Sequence, residues 1–318
     1  MKVSGAYWES FPLHVAVDLD VFTLIGEGSL SGEEIAARRK VNGRAIRTLL
    51  DALVAMGLLE KNGDRYFNTR AAKTFLVKTS PDYLGFAIKH HHHLVSAWSK
   101  LTQAVQTGKP VRKKRRTRSE LESFLMAMSS NASMLAPGIT REIDLSQKRH
   151  LLDLGGGPGT YAIHFCQANP SLRATVFDLP ATAPIAQRTI RRFGLSSRID
   201  FQAGDYLHDA VPGTYDVAWL SQILHSMGPE SCQCVIEKAV SVLDPGGLIL
   251  VHDFLLNDAH DGPLFPALFA LNMLVNTEEG RSYSEGEVHD MLVKAGVRHV
   301  RRLPFRGPMD SGILCGTV

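Results

Sequence analysis

The sequence predicts an α/β fold in which a doubly wound sheet of seven mostly parallel strands follows a mainly helical N-terminal region. From His150 onward, short apolar runs alternate with stretches of helical periodicity, a pattern typical of a parallel sheet covered by helices. The last two predicted strands are joined only by residues 306–310, and this link is too short for a parallel crossover. The final pair of strands is therefore predicted to be antiparallel.

The N-terminal region is predicted to form helices followed by a hairpin. Residues 6–25 form an expected helix that is apolar nearly all round, so it should be buried on several sides, and a second subunit is one way to bury it. Ser31 should begin the next helix with Glu34 completing a capping box, and residues 43–56 should form the helix after it. The stretch 58–67 carries a hairpin signal. Helix, helix and hairpin are typical of a winged helix. Further helices are expected at 82–107 and 119–134.

Seven strands and five helices are predicted in the C-terminal half. The strands are expected at 150–154, 173–178, 199–203, 215–221, 247–253, 297–304 and 311–317. The helices are expected at 159–168, 182–193, 229–242, 263–275 and 284–295.

Charge, cysteines and hydropathy narrow the possible classes of protein. The 318-residue chain has a formal net charge of +3, but six basic side chains lie within residues 112–118 and the rest of the chain sums to −3. Charge alone therefore indicates no nucleic-acid partner. The four cysteines fit neither a disulfide framework nor a zinc site, which favours a reducing, cytoplasmic location. No apolar stretch is long enough to span a bilayer and no signal peptide is evident, so no membrane partner is expected.

A glycine-rich loop follows the first predicted strand of the sheet. Asp153 ends the strand, and Gly155, Gly157 and Gly159 follow at alternate positions. Glycines are needed where the backbone adopts positive φ or approaches a ligand closely. A dinucleotide fingerprint would place its third glycine where Thr160 stands, which argues against NAD. The segment resembles motif I of the class I S-adenosylmethionine (SAM) methyltransferases, and a Rossmann-like fold is what that resemblance implies.

Three further strand ends carry polar groups suited to an adenosyl ligand. Ligands of open α/β sheets lie beyond the carboxyl ends of the strands. A carboxylate at Asp178 can accept hydrogen bonds from both ribose hydroxyls. Asp205 can meet the adenine amino group, and Tyr206 can stack on its ring. SAM has a sulfonium cation and no phosphate, so acids suit it. The alternative is a generic sheet in which these acids only cap turns. The predicted cofactor-binding residues are Asp153, Gly155, Gly157, Asp178, Leu179, Gly204, Asp205, Tyr206 and Ser221.

The motifs taken in order resemble the small-molecule O-methyltransferases related to caffeic acid and acetylserotonin O-methyltransferases. The shared features are a winged-helix N-terminal domain, Asp-Leu-Gly-Gly-Gly-x-Gly, Phe-Asp-Leu-Pro, Gly-Asp-Tyr, Ile-Leu-His and Asp-Pro-Gly-Gly. The resemblance implies SAM as cofactor, S-adenosylhomocysteine as product, and His225 as general base. A histidine suits this task because it can take a proton from a phenol near neutral pH. The alternative is a histidine satisfied by the backbone at a strand end.

Two departures from the family pattern concern the carboxylates around His225. Ser226 stands where the family has Asp, and Ser282 replaces a second carboxylate, for which Glu278 and Glu279 are possible substitutes. Asp253 fits the carboxylate at the end of the fifth strand, so it is predicted to orient His225. Weaker orientation would suit an acidic acceptor, or transfer to carbon as in relatives that act on tetrapyrroles.

Two helices are predicted to line the acceptor pocket. Their facing positions follow helical spacing, although ordinary core packing is the alternative for both sets. The predicted residues are Phe124, Met128 and Asn131 on the first helix and Phe269, Asn272, Met273 and Asn276 on the second. His90 to His93 point in different directions around a helix, so no metal site is predicted from them. The basic run is expected to be a solvated loop.

These observations lead to one prediction of function with two alternatives. The chain is predicted to be a SAM-dependent methyltransferase that acts on a hydroxyl of a small, aromatic molecule, and a homodimer. The alternatives are a C-methyltransferase and a winged-helix DNA-binding regulator with a vestigial SAM fold. The predicted divisions are a dimerisation domain at 1–110, a basic loop and connecting helix lining the pocket at 111–145, and the SAM-binding domain at 146–318.

Overall fold

The computed structural model of the chain describes residues 3–112 and 118–318, and for residues 118 and 119 it describes the backbone alone. Most of the predicted basic run therefore lies outside the described residues. The chain divides into two compact units. The first consists of Met1–Val95 with Thr117–Ser130, and the second consists of Ser96–Arg116 with Asn131–Val318.

The first unit contains helices and one small antiparallel sheet. Its helices are α1 (Tyr7–Asp18), α2 (Val21–Ile25), α3 (Gly32–Arg39), α4 (Gly43–Ala55), α5 (Arg70–Leu76), most of α6 (Gly85–Trp98) and the start of α8 (Arg118–Glu142). Its strands are β1 (Ser29–Ser31), β2 (Leu59–Asn62) and β3 (Arg65–Asn68), in the order β1-β3-β2. The predicted helix, helix and hairpin are present, and β1 adds a third strand that the pattern did not indicate.

The start of α3 agrees with its sequence signal. The backbone N–H of Glu34 donates to Ser31 Oγ (3.2 Å), and Glu34 accepts from the Ser31 backbone (2.7 Å). This reciprocal pair is the capping box that the sequence indicated.

The prediction of one helix over residues 6–25 was wrong. Helix α1 ends at Asp18 and α2 begins at Val21, because Asp20 adopts a left-handed conformation (φ 56°) that no continuous helix contains. Arg39 donates to both the backbone carbonyl and the carboxylate of Asp20, which stabilises the break. Burial is also less complete than expected, since Trp8 is 73% exposed.

The second unit is built on a seven-stranded sheet. Its strands are β4 (His150–Leu154), β5 (Arg173–Asp178), β6 (Ile199–Ala203), β7 (Tyr215–Ser221), β8 (Leu243–Phe254), β9 (Arg298–Arg306) and β10 (Ser311–Thr317). Their order across the sheet is β6-β5-β4-β7-β8-β10-β9. The first five strands pair in parallel, and β10 runs antiparallel to both β8 and β9. The predicted fold class and the antiparallel final pair are confirmed.

Helices cover this sheet on both faces. The helices of this unit are the end of α6, α7 (Leu101–Thr107), the end of α8, α9 (Thr160–Ala168), α10 (Ala183–Arg192), α11 (Pro229–Ser241), α12 (Leu264–Asn276) and α13 (Glu285–Lys294). One core contains Phe165 and Trp219, and the other contains Val235 and Leu292. Inner strands such as β4 and β7 are buried on both faces and appear in the sequence as nearly continuous apolar runs, whereas the edge strands β6 and β9 are largely exposed.

The region between residues 82 and 145 differs from the sequence prediction. The expected helix over 82–107 is two helices, α6 and α7, separated at residues 99–100. The expected helix over 119–134 continues to Glu142 and contains Pro137. The two compact units divide within α8, between Ser130 and Asn131, and the domain boundaries at residues 110 and 145 stay a prediction. No helix among the described residues is long and apolar enough to cross a membrane.

Candidate active site

The glycine loop joins β4 to α9 through three residues at positive φ. Gly155, Gly157 and Gly159 have φ values of 69°, 55° and 76°, and Gly159 is the N-cap of α9. At Gly155 a Cβ atom would lie 2.7 Å from the side chain of Ile223, so space as well as backbone geometry requires glycine there. Because these three residues have no side chain, a ligand at the carboxyl ends of the strands can approach the loop backbone closely.

Asp153 lies beneath this loop. The residue is 1% exposed, and its carboxyl group accepts a hydrogen bond from the backbone N–H of Ala162 (3.2 Å). A Cβ atom at Gly156 would lie 2.5 Å from the Asp153 carboxyl carbon, so the loop packs directly on it. Burial raises the pKa of Asp153 to about 7, and only the Ala162 hydrogen bond opposes that rise. The other oxygen, Oδ1, is buried with no hydrogen-bond partner among the described residues.

Asp178 ties the end of β5 to the same loop. Its carboxylate accepts hydrogen bonds from the backbone N–H groups of Gly157 (2.7 Å) and Leu179 (2.6 Å) and from the Thr182 hydroxyl (3.1 Å). Burial raises its pKa, and these hydrogen bonds oppose the rise. The backbone N–H of Gly204 donates to the Asp178 carbonyl (2.9 Å), which links the ends of β5 and β6. The predicted cofactor-binding residues of these strands are therefore brought together.

Asp205 and Tyr206 follow β6. Asp205 accepts from the backbone N–H of Leu207 (2.9 Å) and lies 2.9 Å from His208 Nδ1. Burial alone would raise the pKa of Asp205, but these hydrogen bonds outweigh it and lower the pKa. A Cβ atom at Gly155 would lie 3.3 Å from the Tyr206 ring, so this ring borders the glycine loop.

Ser221, at the end of β7, is the last of the predicted cofactor-binding residues. The sheet register pairs Leu154 with both Phe177 and Leu220, so the strands β5, β4 and β7 end at the same level. Ser221 pairs in turn with His252 of β8, and its Oγ lies 3.0 Å from His252 Nδ1. The four predicted cofactor segments thus lie along one edge of the sheet.

His225 and Asp253 form a close pair beside this edge. His225 lies in a single 3-10 turn, Leu224–Ser226, just after β7, and Asp253 lies near the end of the adjacent strand β8. His225 Nδ1 is 2.7 Å from Asp253 Oδ1, and the two side chains are 13% and 6% exposed. The arrangement can hold a proton on Nδ1 and leave Nε2 as the basic nitrogen.

Aromatic rings surround this histidine. The Phe254 ring lies roughly parallel to the imidazole, with the ring centres 6.4 Å apart, and the Phe269 ring meets it edge to face at 4.8 Å. Phe265 contacts Phe254 at 4.9 Å between ring centres. Two aromatic rings and the Asp253 carboxylate therefore lie next to the imidazole of His225.

The positions that depart from the family pattern have other partners. Ser226 Oγ donates to the backbone carbonyl three residues earlier (2.7 Å), and the buried Ser282 Oγ donates to a backbone carbonyl of α12 (2.7 Å). Glu278 and Glu279 are exposed, and Glu279 lies against Gly228. Asp253 is the carboxylate that contacts the imidazole of His225 among the described residues.

The two predicted amide side chains on α12, Asn272 and Asn276, form hydrogen bonds with residues of the second unit. Asn272 Oδ1 accepts hydrogen bonds from Trp98 Nε1 (3.0 Å) and from Asn276 Nδ2 (3.0 Å). Asn276 Nδ2 also donates to the Asn272 carbonyl (2.7 Å), and Met273 is 7% exposed. These contacts fit a packing role for the three residues, and their contact with an acceptor stays a prediction.

The predicted pocket residues on α8 fall in different units. Phe124 and Met128 belong to the first unit, where the His90 ring lies 5.2 Å from that of Phe124, and Asn131 belongs to the second. Their shared role in a pocket stays a prediction. His92 Nδ1 lies 3.4 Å from His14 Nδ1. No group of three or more metal-ligating side chains occurs among the residues that the structure describes.

Sequence reasoning missed several residues around these groups. Trp98 was not linked to α12, and Phe254 and Phe265 were not recognised as surroundings of His225. The buried residues His252 and Ser311 were also missed. The spacing of Phe265 and Phe269 is that of one helix face, and Phe254 follows Asp253 directly, so a signal existed for the aromatic group. No local pattern could indicate Ser311, because its partner lies 59 residues away.

The residues at the sheet edge fit SAM. The acidic residues Asp153 and Asp178 lie at the carboxyl ends of β4 and β5, and Asp205 follows β6. Acidic groups suit a sulfonium and an ammonium rather than a phosphate. The glycines of the loop let a ligand approach the backbone closely. Asp153 Oδ1, which has no hydrogen-bond partner among the described residues, is an acceptor that a ligand can use.

Comparisons with known proteins agree with this chemistry. Residues 98–298 match the model of an O-methyltransferase domain, and residues 1–78 match that of an O-methyltransferase dimerisation domain. The chain belongs to the O-methyltransferase family. The predictions of a SAM-dependent O-methyltransferase and of SAM as its cofactor are confirmed at the level of this family.

Similar proteins span nearly the whole chain. The chain is 33% identical to the 3-hydroxy-5-methyl-1-naphthoate 3-O-methyltransferase of Streptomyces sahachiroi, over 97% of this chain and 92% of that protein. It is 33% identical to the tetracenomycin polyketide synthesis 8-O-methyl transferase TcmO of Streptomyces glaucescens, over 97% and 93%. Its fold is similar to that of human N-acetylserotonin methyltransferase in complex with SAM, with a TM-score of 0.88, 28% identity, and 99% and 95% coverage.

Proposed function

We propose that this O-methyltransferase moves the methyl group of SAM to a hydroxyl of a small aromatic molecule, with His225 as the general base. The observation that carries the proposal is the 2.7 Å contact between His225 Nδ1 and Asp253 Oδ1, beside the strand ends that fit SAM. Bound SAM supplies a methyl group activated by its sulfonium. The task of the chain is to align an acceptor oxygen with that group and to remove the oxygen's proton.

His225 and Asp253 divide the proton transfer between them. A phenol has a pKa near 10 by the tyrosine reference value, so its neutral hydroxyl is a weak nucleophile at pH 7. Asp253 accepts a hydrogen bond from the Nδ1–H of His225 and thereby fixes Nε2 as the nitrogen that takes the phenolic proton. The same carboxylate stabilises the imidazolium that results. Asp253 is a positioning residue because it acts through His225.

The acceptor that we propose is a hydroxylated fused aromatic ring. The relatives at 33% identity are named for a hydroxynaphthoate and for a polyketide. Phe254 and Phe269 provide apolar surfaces next to the base, which suit an aromatic ring better than a charged or sugar-like acceptor. Neither a tetrapyrrole nor transfer to carbon has a comparable observation in its favour.

We also propose that the chain acts as a homodimer through its N-terminal winged-helix region. Support comes from the matched dimerisation domain and from the exposed aromatic side chains of α1. DNA binding is disfavoured by the ion pairs of this region. Arg47 pairs with Glu33 (3.3 Å) and Lys61 with Asp51 (2.6 Å), so these cations are already partly neutralised.

A two-part experiment tests the proposal. Calorimetric titration with S-adenosylhomocysteine tests the cofactor site, and transfer of radiolabelled methyl from SAM to a panel of hydroxynaphthoates tests the reaction. We expect His225→Gln to bind S-adenosylhomocysteine like the wild type and to lose about 10²- to 10⁴-fold in kcat. Unchanged turnover in that variant would remove His225 from the mechanism. Absence of adenosyl binding in the wild type would contradict the proposed function as a whole.

A further inference from the structure

Two hydrogen bonds of His252 connect strands next to the edge of the sheet where the predicted cofactor-binding residues lie. His252 is completely buried on β8, and its two ring nitrogens each lie 3.0 Å from a serine hydroxyl. Nδ1 contacts Ser221 Oγ at the end of β7, and Nε2 contacts Ser311 Oγ at the start of β10. The imidazole thus joins three adjacent strands side by side.

Three aromatic rings flank the imidazole of His252. Trp219 lies roughly parallel to the imidazole at 5.7 Å between ring centres, and Phe305 and Tyr161 meet it edge on at 5.9 Å and 6.0 Å. Burial lowers the pKa of His252 to about 4, and the neighbouring Asp253 only partly opposes this. The ring is therefore neutral at pH 7.

A neutral imidazole has one N–H and one lone pair, so one serine must accept a hydrogen bond and the other must donate one. Both hydroxyls are then held in defined directions rather than free to rotate. Burial of polar groups costs free energy unless each of them has a hydrogen-bond partner. The two serine hydroxyls provide a partner for each ring nitrogen of His252.

Of the three hydrogen-bonded residues Ser221, His252 and Ser311, Ser221 is the one at the carboxyl ends of the strands, where the predicted cofactor-binding residues lie. It is only partly buried, whereas Ser311 is fully buried. Its strand ends level with the glycine loop and with Asp178, as the register of β5, β4 and β7 shows. A hydroxyl held in place here is prepared to bind a polar group of a ligand without further loss of rotational freedom.

We propose that His252 is a positioning residue of the cofactor site, which holds the Ser221 hydroxyl in the orientation that binds SAM. The inference rests on the proposed function. It also assigns different tasks to two consecutive residues of β8. His252 supports cofactor binding through Ser221, and Asp253, which points to the other face of the strand, supports the base His225.

Two substitutions of His252 separate positioning from mere packing. Asn places its amide near the former Nδ1 and can keep the contact with Ser221, whereas Gln reaches toward the former Nε2 and can keep the contact with Ser311. We expect His252→Gln to weaken the Kd for S-adenosylhomocysteine about tenfold, the value of one hydrogen bond, and His252→Asn to change it little. Equal losses of affinity in both variants would overturn the proposal.

Three controls complete the test, with Kd measured by calorimetry and unfolding by urea. Ser221→Ala removes the hydroxyl itself and should weaken binding at least as much as His252→Gln. The double variant should bind no more weakly than Ser221→Ala, because His252 acts through that hydroxyl. Thr175→Val breaks a similar contact, that of Thr175 Oγ1 with His150 Nε2 (3.0 Å) at the other end of the sheet, and should leave Kd unchanged. Normal binding by Ser221→Ala would contradict the proposal. A wild type that fails to bind S-adenosylhomocysteine would instead contradict the proposed function.

Discussion

The pair of His225 and Asp253 shows how one side chain defines the chemistry of another. Because Nδ1 faces a carboxylate at 2.7 Å, the imidazole is held both in orientation and in tautomer. The serines at positions 226 and 282 bind backbone carbonyls, so the second carboxylate of the family pattern has no counterpart there. Orientation of the base depends on Asp253.

Asp253→Asn is therefore expected to lower kcat by about 10²- to 10⁴-fold while the KM for SAM stays near the wild-type value. The amide can donate to Nδ1 and favour the tautomer with its proton on Nε2, which cannot act as the base. The kcat of the variant, measured against pH with a hydroxynaphthoate, checks this. In the double variant with His225→Gln the losses should not add, because the two residues act as one unit. Additive losses would show that Asp253 has a separate task.

Gly155 offers a second prediction, which concerns space in the glycine loop. We expect Gly155→Ala to destabilise the protein by more than the roughly 1–2 kcal/mol of a left-handed alanine, because its Cβ would also meet Ile223 at 2.7 Å. Gly246→Ala is a matched control, since Gly246 has a similar φ of 78° with open space around it. Urea unfolding of both variants measures the difference. Equal destabilisation would mean that the loop yields to the extra methyl group.

At the scale of single elements, helix α1 carries exposed aromatic side chains. Tyr7 and Trp8 are 56% and 73% exposed, and Phe11 adds a further partly exposed ring. The residues belong to the segment that matches a dimerisation domain. The exposed aromatic face of α1 is the surface that we expect a second copy to cover.

The double variant Trp8→Glu/Phe11→Glu is accordingly expected to be monomeric, because two carboxylates cannot be buried unpaired in an apolar interface. Light scattering at micromolar concentration measures the mass. Val105→Glu, at a site that is 62% exposed on α7, is the control and should keep the wild-type mass. A dimeric double variant would place the subunit contact elsewhere.

Elements of the sheet were predictable from the sequence to a greater extent than those of the N-terminal region. Strands such as β4 are buried on both faces and separated by clear helical stretches, so composition and alternation define them. The break at Asp20 was not predictable, because its left-handed backbone depends on the distant Arg39. The continuation of α8 through Pro137 likewise depends on tertiary packing that outweighs local propensity.

The same distinction applies to the site. Residues at strand ends, such as Asp178 and His225, could be predicted because topology brings the strand ends together. The hydrogen bonds of Asn272 and His252 could not, because each depends on a partner far along the chain. Sequence patterns indicate which face a residue occupies, and they do not indicate its hydrogen-bond partner.

At the scale of the whole molecule, two buried titratable groups act on stability in opposite directions. The pKa of Asp153 is raised to about 7, so the folded chain keeps a proton that the unfolded chain releases, and stability falls as pH rises from about 4 to 7. The pKa of His252 is lowered to about 4, so its contribution is present above pH 6.5 and is lost as pH falls toward 4. Each effect amounts to about 3–4 kcal/mol over its window.

Asp153→Asn and His252→Asn are thus expected to change the pH dependence of unfolding in opposite ways. Between pH 4.5 and 6.5 the stability of Asp153→Asn should rise with pH more steeply than that of the wild type, and that of His252→Asn should rise less or fall. Urea unfolding of the ligand-free protein at three pH values measures the slopes. Parallel curves for all three proteins would contradict the assignment of these buried ionisations.

The division of the chain within α8 has a consequence for synthesis. The first unit takes its residues from two stretches, and the second stretch follows residues 96–116 of the other unit. On the ribosome, the first unit therefore cannot complete its packing until residue 130 has emerged, when part of the second unit is already outside. The two units are made in interleaved order, so a fragment that ends at Val95 lacks residues 117–130, which belong to the same compact unit.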